Sequence, residues 1–128
     1  MKITFIGGGN MAVALISGLY RQGLAAANID VVEPSTVAGD ALVGRFGVRC
    51  TTAVDATALA AQIIVLAVKP QQMKEALTPL AGKLTGQLVV SIAAGMRLAD
   101  ISRWLGGYRH VVRTMPNTPA LIGDGVTG

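Results

Sequence analysis

Short aliphatic runs alternate with longer stretches whose apolar residues recur every three or four positions, and the alternation continues along the whole chain. Lys2–Ile6, Ile29–Glu33, Val48–Cys50, Ile63–Val68, Gln87–Ile92 and His110–Met115 read as six strands. Asn10 to about Gln22 reads as a helix, with Met11, Leu15, Gly18 and Leu19 on one face and Gly23 just past its end. Val37–Phe46 is a second predicted helix, stopped by Gly47. Thr52 is the expected cap of a helical turn reaching Ala60. Pro70 suits the first position of a helix running to about Lys83, and a short helix is expected near Leu98–Leu105. Strands that alternate with helices need right-handed crossovers, so the predicted fold is α/β: an open parallel sheet with helices on both faces.

Composition agrees with that architecture. The chain has 128 residues, 52% of them apolar but only 4% aromatic, so its core must be built from Ala, Val, Ile and Leu. That mix suits central parallel strands buried on both faces. The length predicts one domain spanning 1–128. The net charge is +4, but Arg and Lys are scattered without a basic run, which argues against nucleic acid as a partner. The single cysteine, Cys50, excludes an internal disulfide and fits a reducing, cytoplasmic setting. Cys50 is expected to be a small buried side chain. His110 and Cys50 each stand alone, and a structural zinc needs about four ligands, so no metal site is expected.

The uncharged stretch from Ile3 to Tyr20 invites comparison with a secretion signal. Its apolar run breaks after Ile6 into three glycines and an asparagine, which suits neither a signal nor a membrane span. No membrane partner is therefore expected. The glycine-rich ending Gly123–Gly128 reads as a cut at a domain boundary or as a loose tail.

The glycines after the first strand carry the strongest chemical signal. Gly7-Gly8-Gly9-Asn10-Met11-Ala12 follows a predicted strand and opens a predicted helix, the context a Rossmann-type dinucleotide fingerprint requires. Gly7 permits the tight turn, Gly9 lets backbone approach a pyrophosphate, and Ala12 keeps helix and strand close. The helix start offers free N–H groups and a positive dipole end to the anion. Glu33 closes the second strand, where an acid bonds an adenosine ribose 2′-hydroxyl and so favours NAD. Ser35 and Thr36 offer hydroxyls, and Arg45 and Arg49 are the nearest cations for a 2′-phosphate. The choice between NADP and NAD stays open at this point.

Three further loops fall at carboxyl ends of strands, where open parallel sheets bind ligands. They are Ala67-Val68-Lys69-Pro70, Ser91-Ile92-Ala93-Ala94-Gly95 and Met115-Pro116-Asn117-Thr118-Pro119. Small residues at Ala93, Ala94 and Gly95 admit a nicotinamide close to backbone. Asn117 and Thr118 can bond a carboxamide or a substrate. Lys69 either faces a phosphate or is a solvated turn lysine. Trp104 and Tyr108 are expected to pack, and the lone His110 to play a core or surface role.

Taken in order, Gly7–Ala12, Ala67-Val68-Lys69-Pro70, Val90–Gly95 and Arg113-Thr114-Met115-Pro116-Asn117-Thr118-Pro119 resemble pyrroline-5-carboxylate reductase. The match spans the chain, and the Met-Pro-Asn-Thr-Pro run is its most telling part. The resemblance implies a cytoplasmic enzyme of proline biosynthesis that reduces L-1-pyrroline-5-carboxylate to L-proline with NADP as its cofactor (NAD possible). It implies a cofactor set of residues 7–12, Ser35, Lys69 and its neighbours, and 93–95, with Asn117 and Thr118 beside them. It also implies a homodimer or larger homo-oligomer, assembled through a helical C-terminal domain that is absent from these 128 residues. That domain holds most of the substrate contacts, so no catalytic residue is nominated. Relatives often carry a polar or basic group soon after the second strand, and Glu33-Pro34 departs from that. Two other readings remain. One is the cofactor-binding domain of a β-hydroxyacid dehydrogenase-like or deazaflavin-dependent NADP reductase-like enzyme, which should lack the Met-Pro-Asn-Thr-Pro run. The other is a non-catalytic nucleotide-binding module.

Overall fold

A computed structural model describes residues 1–92 and 96–113. Six parallel strands form one sheet: β1 (Ile3–Ile6), β2 (Ile29–Val32), β3 (Arg49–Thr51), β4 (Ile63–Leu66), β5 (Leu88–Ser91) and β6 (Val111–Arg113). They lie in the order β3-β2-β1-β4-β5-β6. The chain winds outward from β1 in one direction, then returns and winds outward through β4 in the other. The reversal leaves a crevice at the carboxyl ends of β1 and β4, the place where such sheets take ligands.

Strand alternation divides the core in two. Ile3, Phe5, Val65 and Val90 face α1 (Asn10–Arg21) and α2 (Thr36–Phe46), which bury Leu15, Ile16, Leu19 and Leu42 against them. Ile6, Ile64, Leu66 and Val89 face the other way, toward α3 (Ala56–Leu59), α4 (Met73–Leu77) and α5 (Leu98–Trp104). Both faces are covered, which explains why β4 reads as an unbroken apolar run and why β1 and β2 are buried along their whole length, each with a single polar residue, Thr4 and Asp30. The predicted α1 face needs one amendment, since Met11 is only partly buried while Ala12 and Ile16 join the core.

Two predicted helices differ from the observed ones. The expected 70–83 helix is a succession of short pieces: a 3-10 turn at Pro70–Gln72, α4, and a second 3-10 turn at Thr78–Leu80. Pro79 accounts for the end of α4, because it has no N–H to donate and its ring collides with the carbonyl one turn back in a regular helix. The turn between β3 and β4 begins later than expected, and its cap is Asp55 rather than Thr52, with the Asp55 side chain accepting from the Ala58 amide. A 3-10 turn at Ala26–Asn28, ahead of β2, has no strong pattern in the sequence.

The other expectations for isolated residues can be placed. Tyr108 packs beside the α4/α5 core, and its hydroxyl donates to the Gln87 carbonyl. Trp104 is partly buried on the same side. Cys50 is half-buried rather than buried, and that burial, followed by the negative charges of Glu33 and Asp40, pushes the thiol pKa up. His110 is exposed just before β6, with Nδ1 3.1 Å from the Gly86 carbonyl, at the sheet end opposite the crevice. Among the described residues, no group of three or more His, Cys, Asp or Glu could hold a metal, and no helix is long and apolar enough to cross a membrane.

The Ser91 hydroxyl, at the end of β5, is buried without a hydrogen-bond partner among the described residues. An unpaired buried hydroxyl costs about 1–3 kcal/mol. Ser91→Ala is therefore expected to raise stability by about 1 kcal/mol in urea unfolding. A loss of stability instead would reveal a partner for that hydroxyl.

Candidate functional site

β1 delivers the chain to Gly7, whose amide donates to the Val32 carbonyl at 2.8 Å and whose φ is +100°. A side chain there is excluded twice. The dihedral is one that L residues rarely adopt, and a Cβ would lie 2.9 Å from the Ala67 carbonyl oxygen and 2.8 Å from Val68 Cγ1. Ala67 and Val68 thus contribute the wall that presses on the turn. This is how the predicted loop at 67–70 takes part: buried Ala67 through its backbone and half-buried Val68 through its side chain. Lys69 and Pro70 are exposed at the entry to the 3-10 turn.

Gly9 is the N-cap of α1, with ordinary extended backbone (φ −80°, ψ −164°) and no side chain capping the helix. A Cβ added there meets nothing within 4 Å. The helix start therefore opens onto free space, with no acidic residue in its first turn. Amides that lack intrahelical acceptors, together with the positive end of the dipole, suit an anion. The space a Cβ would fill at Gly9 is a cradle that fits a pyrophosphate, with Asn10 and Met11 contributing backbone beside it.

Gly8 differs from the expectation of bare amides. Its N–H donates to Glu33 Oε1 at 2.8 Å, while Glu33 Oε2 accepts from the Ser35 amide at 2.8 Å. The Gly8 position is packed tightly, since a Cβ would come within 2.8 Å of Leu42 Cδ1 and 3.2 Å of Glu33 Cγ. Glu33 thus ties the glycine loop to the start of α2. Ser35 caps that helix in turn, its Oγ accepting from the Ala38 amide.

Below this junction lies a cavity of about 640 Å³. One wall is the end of β2 and its loop, Glu33 to Ser35; a second is Thr52 to Val54 after β3. The third comes from Val68, Gln72, Glu75, Ala76 and Pro79. Volume and mostly apolar lining suit an adenosine moiety. Thr52, expected to cap a helix, lines this cavity instead. Gln72, Glu75, Ala76 and Pro79 were not legible as site residues: their spacing puts them on one helical face, but only the packing of that segment against the sheet turns that face toward the cavity. Both expected cations are engaged elsewhere: Arg49 with Asp30 and Asp55, Arg45 over the Phe46 ring at 5.1 Å. The remaining predicted contacts, Ala93, Ala94, Gly95, Asn117 and Thr118, lie outside the described residues.

A six-stranded parallel sheet whose order reverses at a glycine cradle, beside a cavity of nucleoside size, is a Rossmann-type architecture. Residues 2–95 match the family model described as NADP oxidoreductase, coenzyme F420-dependent, and the chain belongs to that family. Among individual proteins it is 44% identical to the pyrroline-5-carboxylate reductase of Pseudomonas aeruginosa, over 99% of this chain and 47% of that one. The Escherichia coli reductase of the same name is 42% identical over 98% of this chain and 48% of that one. The chain thus spans about half the length of these curated relatives. The solved structure of a pyrroline-5-carboxylate reductase from Coxiella burnetii superposes with a TM-score of 0.82 at 38% identity, covering 91% of this chain and 45% of that one. The Plasmodium falciparum pyrroline carboxylate reductase, solved with NADP bound, gives 0.77 at 27% identity, over 96% of this chain and 45% of that one.

Proposed function

We propose that residues 1–128 form the dinucleotide-binding domain of a cytoplasmic pyrroline-5-carboxylate reductase, which reduces L-1-pyrroline-5-carboxylate to L-proline. One observation carries the reading. The family model ends at residue 95, whereas the similarity to the named reductases continues over 99% of the chain and so takes in the Arg113–Pro119 run. A deazaflavin-dependent NADP reductase, suggested by the family description, was expected to lack that run.

In this reading NADP or NAD lies across the crevice. Gly9, Asn10 and Met11 present main-chain N–H groups to its pyrophosphate, and Gly7 and Gly8 hold the loop in the shape that exposes them. The cavity between Val54, Val68 and Ala76 receives the adenine. Ala93, Ala94 and Gly95, with Asn117 and Thr118, border the nicotinamide. The reduced nicotinamide supplies hydride to the ring C=N carbon. The chain's share in that step is orientation, because reacting atoms must be held within about 3–3.5 Å. Substrate contacts and the homo-oligomer interface are assigned to the length that the relatives have beyond this match.

Titration calorimetry with NADPH and NADH, paired with an assay for proline from pyrroline-5-carboxylate, tests the proposal. The 128 residues are expected to bind dinucleotide without turnover, and a chain extended to the length of the relatives to form proline. Failure of both cofactors to bind sinks the cofactor-domain reading. Oxidation of a reduced deazaflavin by the extended chain, with no proline formed, supports the rival reductase.

A further inference from the structure

We infer that this site selects NADH over NADPH, with Glu33 as the selecting residue and Glu75 as a second negative wall; the inference rests on the dinucleotide-binding reading above. A 2′-phosphate is recognised by donors gathered where the second strand meets the next helix, through free backbone amides, hydroxyls or cations. In this chain Glu33 already takes two of the backbone amides, those of Gly8 and Ser35, and places its own negative charge among the donors that are left.

Pro34 has no N–H, so the first amide after Glu33 is that of Ser35, and Glu33 Oε2 accepts it at 2.8 Å. Ser35 Oγ accepts from the Ala38 amide. On the glycine-loop side, Glu33 Oε1 takes the Gly8 amide. A carboxylate held by two backbone amides has a fixed direction, and proline at 34 restrains the residue before it to extended backbone. Glu33 therefore acts as an internal anion, seated among the groups a phosphate would need. It keeps lone pairs that can accept from ribose hydroxyls, since an ionised carboxylate offers about four acceptor sites.

Charge completes the argument. Glu33 and Glu75 line the same cavity, and no Lys or Arg is among its described lining residues. Arg49 is bound to Asp30 and Asp55, across the sheet from the crevice. Arg45 stacks on Phe46 in the last turn of α2. A 2′-phosphate would thus meet two carboxylates with no cation among the described lining residues, whereas a 2′-hydroxyl meets an acceptor.

Calorimetric titration of the full 128-residue chain with NADH and NADPH at low salt is the test. NADH is expected to bind at least about tenfold more tightly, and the ratio to narrow as salt shortens the screening length from about 10 Å at 0.1 M to about 3 Å at 1 M. Glu75→Gln, an exposed and structurally mild change, is expected to reduce the ratio about threefold. Glu33→Gln, which keeps the volume and removes the charge, is expected to reduce it further. ADP should compete with NADH better than adenosine 2′,5′-bisphosphate does. NADPH binding as tightly as NADH in the unmodified chain overturns the selection while leaving the cofactor reading intact. An unchanged ratio in both variants removes Glu33 and Glu75 as its cause. Binding of neither dinucleotide defeats the underlying reading itself.

Discussion

Gly7→Ala is expected to destabilise the chain by about 2–5 kcal/mol, whereas Gly9→Asp is expected to keep or slightly raise stability while weakening dinucleotide binding at least tenfold. The first value combines two costs. Strained backbone at a positive φ is about 1–3 kcal/mol, and overpacking a closed site is typically about 1–3 kcal/mol. Gly7 incurs both, because its φ is +100° and its Cβ would meet the Ala67 carbonyl at 2.9 Å, which is backbone and cannot rotate aside. Gly9 incurs neither, since its dihedrals are ordinary and nothing stands within 4 Å of its Cβ.

Aspartate is in fact a preferred N-cap, better than glycine by a few tenths of a kcal/mol, and an acid at a helix start adds about 0.3–1 kcal/mol. The same carboxylate fills the cradle and repels a pyrophosphate. Urea midpoints and calorimetric titration of the two variants separate the roles. Equal losses of stability in both would show that the loop is merely a turn, with no cradle at Gly9. Full affinity in Gly9→Asp would place the pyrophosphate elsewhere.

The contrast between these glycines was partly readable from the sequence. A strand, three glycines and a helix start give the turn and the approach their places, because each follows from backbone geometry within a few residues. Strands β1, β2 and β4 were equally legible, since burial on both faces makes β4 continuously apolar and leaves β1 and β2 a single polar residue each. What lay hidden depends on residues far apart. Glu33 reaches Gly8 across 25 positions, and only the side chain's direction in the folded sheet reveals it. Gln72, Glu75 and Ala76 have the spacing of one helical face, and it is the docking of that segment on the sheet, not its periodicity, that turns the face toward the cavity. The cap before α3 was misplaced for a related reason. Thr52 and Asp55 are both good N-cap residues, but Arg49 anchors Asp55 and no such partner fixes Thr52.

That anchor belongs to a charge group at the opposite end of the sheet, the second place where a single substitution is expected to act strongly. Asp30 of β2 is only 3% exposed at its side chain, and it meets Arg49 Nη1 at 2.8 Å and Lys2 Nζ at 3.3 Å. Its partners come from β3 and from the residue ahead of β1, so one carboxylate ties the amino ends of three strands. Removing one member of a buried pair typically costs about 3–5 kcal/mol, because the other charge is stranded. Here the stranded cations keep contact with water, at 23% and 39% exposure, which reduces the penalty. Asp30→Ala is expected to cost about 2–3 kcal/mol in urea unfolding.

Asp55 provides the internal control. Its side chain is 40% exposed, so its replacement by alanine is expected to cost less than that of Asp30. Its effect is read best through pH. The Arg49 hydrogen bond, followed by that of the Ala58 amide, lowers the Asp55 pKa. A folded-state pKa below the unfolded value of about 3.9 means that its contribution is present above that pH. The contribution is lost as pH falls through the lowered folded value, and Asp55→Ala should flatten that part of the acid limb of the stability curve. Dinucleotide binding supplies the last readout. Asp30 and Glu33 are three residues apart on one extended strand, about 10 Å, at opposite ends of the sheet. Asp30→Ala should therefore leave the affinities for NADH and NADPH, and the ratio between them, where they were, and a shifted ratio would show that strand register at the amino ends is transmitted to the Glu33 carboxylate.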